Sequence, residues 1–308
     1  MTKLAVPEAI AVLVGTIIGA GVFALPYIAV HSGLVITISW LAIVTLIIIF
    51  LHLSFGEVVL RTKGNFRLPG YVGYYLNSPA KKFVLLITFL TFAFSLLIYL
   101  LLGSQFLEVI IDSFFPANAL PQGLLVIFLW LCLSFVVLTN GNKLSKINFY
   151  LSFLLLFLLF AIIIFALPYF RTENLNLFDF KNSWGWLIPY GAIFFALNGM
   201  VAVPEAAKVL EKRQVDKKKL KSVIIIGTLI PALCYLVFMI VVAGVSGEQT
   251  SLEAIQGLKG ILGDSIILLG AGLGFLAVVT SYLIFASYIK NSFISDFGWS
   301  SFISHFLI

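Results

Sequence analysis

The sequence predicts an all-α polytopic membrane protein, and three observations carry that prediction. Of 308 residues, 61% are hydrophobic and only 10% charged, where an ordinary soluble domain carries about 25% charged residues. The apolar residues gather into eight runs, roughly 7–30, 34–59, 83–111, 123–140, 147–169, 185–206, 222–245 and 263–289, and a helix needs about 20 such residues to cross a bilayer. Positive charge is sorted by connection. Lys3, the second connection (Arg61, Lys63, Arg67, Lys81, Lys82), the fourth (Lys143, Lys146), the sixth (Lys208, Lys212, Arg213, Lys217, Lys218, Lys219, Lys221) and Lys290 hold 16 of the 19 Lys and Arg. Arg171, Lys181 and Lys259 lie on the other side. Positive loops stay cytoplasmic during insertion, so the N-terminus is expected inside a plasma (inner) membrane, with the odd connections facing out.

The same distribution narrows the function. The net charge of +6 forms no basic face, so nucleic acid is not an expected partner; membrane lipid is. The first run is too long for a signal-peptide core and is expected to be retained. Cys132 and Cys234 lie in apolar runs and read as small core residues. His31, His52 and His305 lack metal-ligand spacing, and there is no Ser–His–Asp set, no paired carboxylates and no dinucleotide fingerprint. Neither a resident metal nor a cofactor is expected. An enzyme acting on a lipid-linked substrate, the alternative class, would cluster His, Asp or Glu at one membrane face; here the acids are dispersed.

The first span contains Val14 to Tyr27, VGTIIGAGVFALPY. Gly15, Gly19, Gly21 and Pro26 crowd into it, although glycine costs about 1 kcal/mol against alanine in a helix interior and proline removes a backbone donor. Two readings stand. The helix is broken part-way across, with its freed backbone groups facing protein or a wet cavity, or Gly15-xxx-Gly19 lets two helices pack closely. The second connection, GNFRLPGYVGYYLN, reads as a turn and a short helix in the headgroup layer, where tyrosine is favoured, or as an ordinary loop. In the third span Ser104 and Gln105 are polar in an apolar helix, and a helix–helix hydrogen bond is the expected role. The sixth span repeats the peculiarity of the first: Pro189 and Gly191 open it, Leu197-Asn198-Gly199-Met200 interrupts it and Pro204-Glu205 is expected to end it. The run from Lys208 to Lys221 reads as a solvated inside loop that also suits anionic lipid. Residues 291–308 read as a cytoplasmic connection followed by the opening of another span.

Glycine- or proline-interrupted spans at matching places in two halves point to a transporter's central site. The second broken span follows five spans, counted from and including the first broken one. An odd repeat inserts its second copy upside-down, as the charge split requires. The chain therefore reads as one transporter domain, 1–308, with a first repeat at 1–170 and an incomplete second at 180–308, about eight complete helices with the last two missing. A non-transporting remnant is the reading that competes with a carrier.

GTIIGAGVFALPY, RLPGYVGYYLN, LNGMVAVPE and AVVTSYL together resemble the amino-acid/auxin and hydroxy/aromatic amino-acid permeases of the amino acid–polyamine–organocation superfamily. The resemblance implies a leucine-transporter-like five-plus-five inverted repeat and secondary transport of an amino acid, aromatic or neutral, by alternating access on a proton or sodium gradient. It also implies that Gly19, Ala20, Gly21 and Val22 offer backbone N–H groups to a substrate carboxylate. A half-helix N-terminus suits that anion, and small residues allow its approach. Leu197, Asn198 and Gly199 would supply carbonyls and pocket surface, with Asn198 bonding the substrate or capping a half-helix. Phe194, Phe195 and Tyr99 are candidate walls. Ala277, Thr280 and Ser281 share one face of the eighth span. With carbonyls of Gly15 and Ile18 they resemble a sodium site, oxygen ligands suiting a hard cation, against a reading in which the hydroxyls bond their own helix. No carboxyl or histidine stands out as a proton carrier: Glu8, Glu57, Glu108, Glu205 and Asp264 all fall near span ends.

Overall fold

The computed structural model describes residues 5–64, 66–115, 120–138, 141–178, 185–263 and 265–299. Among them there are helices and 3-10 turns and no strand. The helices are α1 (Ala5–Ile17), α2 (Ala24–Ser32), α3 (Leu34–Arg61), α4 (Leu68–Tyr75), α5 (Ser78–Phe114), α6 (Gln122–Leu138), α7 (Gly141–Ala166), α8 (Ile188–Leu197), α9 (Val203–Lys212), α10 (Lys219–Ser246), α11 (Gln256–Leu262) and α12 (Ser265–Phe297). Among the described residues six spans are long and apolar enough to cross a membrane, the α8–α9 pair counting as one, and α1 with α2 makes a seventh bent by 56°. α6 is a shorter apolar helix of 17 residues. The chain is an integral, multi-pass membrane protein.

Element boundaries follow from local chemistry. Asn77 caps α5, its side chain accepting the Ala80 N–H at 2.8 Å, and Pro79 stands in the first turn, where a missing donor does no harm. α2 and α10 stop at Gly33 and Gly247, at φ of 90° and 50°, conformations that glycine adopts without a Cβ penalty. Backbone groups at those ends are satisfied by the segment after α7. Asn174 donates to the Gly244 and Val245 carbonyls at 2.9 and 3.0 Å, Asn176 donates to Val30 at 3.1 Å, and the Leu34 N–H donates to the Asn176 carbonyl at 2.8 Å.

Two boundaries differ from those expected. Pro204 starts α9 rather than ending the sixth span, and the helix runs on to Lys212. The eighth span continues to Phe297, so Asn291 to Phe297 is helix and not a connection. The polar residues that suggest an exit there are satisfied by partners elsewhere in the fold: Lys290 donates to the Val137 carbonyl at 2.6 Å, and the Asp296 carboxylate accepts backbone N–H groups from the second connection. Lys3, Lys181, Asp264 and His305 lie outside the described residues, as do the side chains of Lys143, Lys146 and Lys259.

The core falls into two clusters. One joins α1, α2, α3, α4, α7, α8, α9, α10, α11 and part of α12 (Ile266, Leu273, Ala277) through residues such as Leu13, Ile48, Leu159, Ile193 and Phe238. The other joins α5, α6 and α12 through Leu100, Leu129, Tyr282 and Leu283. Ala20, at the break in the first span, touches both. The outer surface is apolar in the way a lipid-facing surface must be: Leu46, Phe50, Phe135 and Tyr150 are all about 70% exposed. Cys132 is exposed on that surface rather than packed in the core, while Cys234 is buried.

Candidate functional site

The first span opens between Ile17 and Ala20. Gly19 is extended there (φ −149°, ψ −158°), and a 3-10 turn, Ala20–Phe23, leads into α2. Any residue could adopt that backbone, so its glycines serve close approach. A Cβ on Gly19 would run into Ser281 Oγ, and one on Gly21 would stand 2.8 Å from both Cα and Cβ of Ala196. The break in the first span therefore lies directly on α12 and on α8. Gly19 and Val22 are buried, and Ala20 and Gly21 are half-buried.

The second break lies at Asn198 (φ −73°, ψ 106°) and Gly199, followed by a 3-10 turn, Met200–Ala202, and α9. Asn198 caps that turn, its Oδ1 accepting the Met200 N–H at 3.2 Å. Of its two expected roles, capping is the one the geometry displays. Gly199 is packed on the first span, since a Cβ there would meet Ile17 Cγ1. Leu197 is fully buried. Phe194 is half-buried, its ring centroid 5.9 Å from that of Tyr190. Phe195 is half exposed.

Two residues that sequence reasoning missed tie the breaks together. The Tyr235 hydroxyl, fully buried on α10, lies 2.7 Å from the Ile17 carbonyl and 3.2 Å from the Ala196 carbonyl. These are carbonyls freed by the breaks, which would be costly to leave unpaired in a membrane. His52, fully buried on α3, accepts the Gly199 N–H at Nε2 (3.3 Å) and reaches Thr228 Oγ1 of α10 with Nδ1 (3.3 Å). The tyrosine carries no local signal in sequence. The histidine carries one, an ionisable side chain deep inside an apolar run.

The candidate ion ligands divide. Thr280, fully buried, donates back to the Leu276 and Ala277 carbonyls at 2.9 and 3.0 Å. The Gly15 carbonyl accepts from Ser152 Oγ of α7 at 3.2 Å, and the Ile18 N–H still bonds Val14 at 2.9 Å. Ser281 faces Gly19 and lies beside Tyr99, which is itself buried. Gly19, Ser281, Ala277 and Tyr99 thus form one cluster. Among the described residues no group of three His, Cys, Asp or Glu could hold a metal. Ser104 donates to Leu101 of its own helix at 2.8 Å instead of bridging to a neighbour, and Gln105 is exposed.

A third cluster lies at the Arg61 end of the bundle. The second connection forms α4, but Pro69, Gly70 and Tyr71 are buried against protein, with Tyr74 and Tyr75 left exposed. Asp296 of α12 holds it, accepting the Arg67 N–H at 3.0 Å and the Gly70 N–H at 3.1 Å. Tyr288 accepts the Leu68 N–H at 3.0 Å. The Arg67 guanidinium pairs with Glu205 of α9, which also meets Lys208 at 3.2 Å. Glu8 of α1 pairs with Arg213 at 2.9 Å. A pocket of about 440 Å³ opens beside this cluster, lined by Val59, Thr62, Tyr71, Pro204 and Lys208 among others.

Residues 3–304 match the Tryptophan/tyrosine permease family. The chain belongs to that family. A relative, Glutamine transporter 2 of Aliivibrio fischeri (strain ATCC 700601 / ES114), is 26% identical over 241 residues, 76% of this chain and 59% of that protein. This permease-family chain thus spans about three-fifths of that relative's length. Two solved structures share its fold. Mhp1, a nucleobase-cation-symport-1 family transporter in a closed conformation with bromovinylhydantoin bound, superposes with a TM-score of 0.72 at 12% identity, over 97% of this chain and 69% of its own. MhsT in complex with L-phenylalanine gives 0.63 at 16%, over 97% and 76%. These homologues and fold neighbours are transporters, not enzymes.

Proposed function

We propose that this permease-family chain carries an amino acid across the plasma (inner) membrane by secondary active transport, with its N-terminus cytoplasmic. The observation that supports this most is the meeting of two interrupted spans at one buried hydroxyl, Tyr235. A helix interrupted at mid-depth exposes backbone groups, and two such interruptions packed together concentrate them in one place. Substrate contacts are assigned to Gly19, Ala20, Gly21, Val22, Tyr99, Phe194, Leu197, Asn198 and Gly199. The first N–H groups of a helix have no upstream carbonyl, so Ala20 and Gly21 are the donors a carboxylate would find there. Aromatic and neutral amino acids are the substrates to try first, in keeping with the family and with the phenylalanine bound to MhsT.

The two core clusters suit alternating access as two bodies. The cluster containing both breaks moves against the α5–α6 side of the other, with Ala20 and α12, which contributes to both clusters, at the seam. In this reading the chain is one domain holding a five-span repeat and part of an inverted second, within the hydroxy/aromatic or amino-acid/auxin branch of the superfamily. A proton or sodium gradient drives it. Gly15, Ile18, Ala277, Thr280 and Ser281 are the oxygen set for sodium. A threonine hydroxyl that donates to its own helix still presents lone pairs, so the donor chemistry fits a hard cation.

The test is counterflow of radiolabelled amino acids in proteoliposomes, comparing the wild-type chain with Gly21→Leu. The expected result is substrate-specific counterflow that the variant loses while still inserting into the membrane. Normal counterflow in Gly21→Leu would overturn the assignment of the carboxylate site.

A further inference from the structure

We propose that His52 is the proton-binding residue of the transport cycle, and that protonating it releases the second break. The inference rests on the transport reading above. His52 sits on α3 nine residues before Arg61, about 13 Å of helix from that end. It is fully buried, inside a span. Ionisable side chains at such depth are rare and mark proton or substrate pathways, and histidine is the one whose ordinary titration falls near neutral pH.

Its two hydrogen bonds define what a proton would do. The Gly199 N–H can only donate, so Nε2 is the bare nitrogen and Nδ1 carries the hydrogen toward Thr228 Oγ1. A proton arriving from water adds to the Nε2 lone pair. Nε2 and the Gly199 N–H then both donate and repel, and that hydrogen bond breaks. Nδ1–H stays on Thr228, and the charge is +1 until the proton leaves. The one bond lost belongs to the peptide where the second span is interrupted, so the proton acts on the α8–α9 junction directly.

The surrounding charges leave this role to His52. On α3 itself Glu57 is paired with Arg61 at 2.6 Å. On α9 Glu205 is held by Arg67 and Lys208, and on α1 Glu8 is held by Arg213. On α2 His31 bonds the Tyr27 carbonyl. α8 carries Tyr190, whose ring lies tilted against those of Trp40 and Phe194. On α10 the groups are Thr228, Cys234 and Tyr235, the last engaged at Ile17 and Ala196, with Lys219 and Lys221 in its first turn. Lys290, the buried cation of α12, bonds Val137 and touches neither break. The pocket at the Arg61 end opens between the ends of α3 and α9, the two helices that flank His52 and its partner, and gives the proton a polar side on which to leave.

The experiment compares wild type, His52→Gln and Thr228→Val in proteoliposomes, first by counterflow at equal pH and then with an imposed pH gradient. Glutamine keeps an acceptor for Gly199 and cannot hold the proton. The expected result is that His52→Gln retains counterflow while its uptake is no longer accelerated by the gradient, and that Thr228→Val moves the pH midpoint of wild-type uptake. Gradient-accelerated uptake in His52→Gln, or an unmoved midpoint in Thr228→Val, would overturn the proposal and leave the transporter reading standing. Wild-type counterflow unaffected by pH gradient would do the same. Absence of wild-type counterflow with every amino acid would remove the transporter reading, and this proposal with it.

Discussion

The Tyr235 hydroxyl stands 2.7 Å from the carbonyl oxygen of Ile17, the last residue of α1. It is a single polar atom from α10 that occupies backbone released by the first break, and at 3.2 Å it reaches Ala196 beside the second. Tyr235→Phe keeps the ring in place and removes only that atom. Leaving buried carbonyls unpaired costs about 1–3 kcal/mol. The variant should lose roughly that much stability in a detergent unfolding assay and lose counterflow by about tenfold or more, since about 1.4 kcal/mol misplaced at the site is already a factor of ten. Unchanged counterflow would mean the two breaks do not need a common anchor.

The interruptions were legible because glycine and proline are expensive inside an apolar run, and Gly19, Gly21 and Asn198-Gly199 stand out wherever hydropathy is otherwise unbroken. What holds the interruptions was not legible. Tyr235 comes from α10, whose own pattern is that of an ordinary span, and its partner lies 218 residues away. His52 stands out on α3 as an ionisable side chain in an apolar run, but its partner Gly199, 147 residues on, does not show locally. Asp296 misled for a related reason. A carboxylate after Lys290 and Asn291 resembles the exit of a span, yet its charge is answered by Arg67 and Gly70 N–H groups, the first of them 229 residues earlier. Local polarity marks a boundary only where no distant element supplies the missing bond.

Alanine at two of the glycines should separate close packing against backbone from close packing against a movable side chain. At Gly21 the new Cβ meets the Ala196 main chain at 2.8 Å, and neither helix can give way without shifting. At Gly19 it meets the Ser281 hydroxyl, which can rotate. Overpacking costs about 1–3 kcal/mol where nothing can move. Gly21→Ala should therefore lower thermal stability and counterflow together, while Gly19→Ala should stay close to wild type in stability. Equal losses in both would show that the α8 contact is softer than it looks.

Asp296→Asn tests what docks α4. The carboxylate accepts from two backbone N–H groups, and the amide's NH2 would face one of them donor to donor. Losing one charge-assisted bond of about 1.5–3 kcal/mol should raise amide hydrogen exchange in residues 66–75 by about tenfold or more. Exchange confined to its wild-type rate would show that Tyr288 and the Arg67–Glu205 pair hold α4 without Asp296.

Sodium and proton make opposite demands on α12. If His52 carries the coupling ion, uptake at a fixed pH gradient should be the same with and without sodium, and Thr280→Val with Ser281→Ala should leave gradient acceleration in place. The threonine bonds only its own helix, so its loss should cost less than about 1 kcal/mol. Ser281 touches Tyr99 and Gly19, so any effect of the pair should appear as weaker substrate binding, read as a higher KM with the pH profile unmoved. Uptake that vanishes in sodium-free buffer, together with loss of sodium dependence in the double variant, would place the coupling ion among the oxygens of Gly15, Ile18, Ala277, Thr280 and Ser281 and take it away from α3.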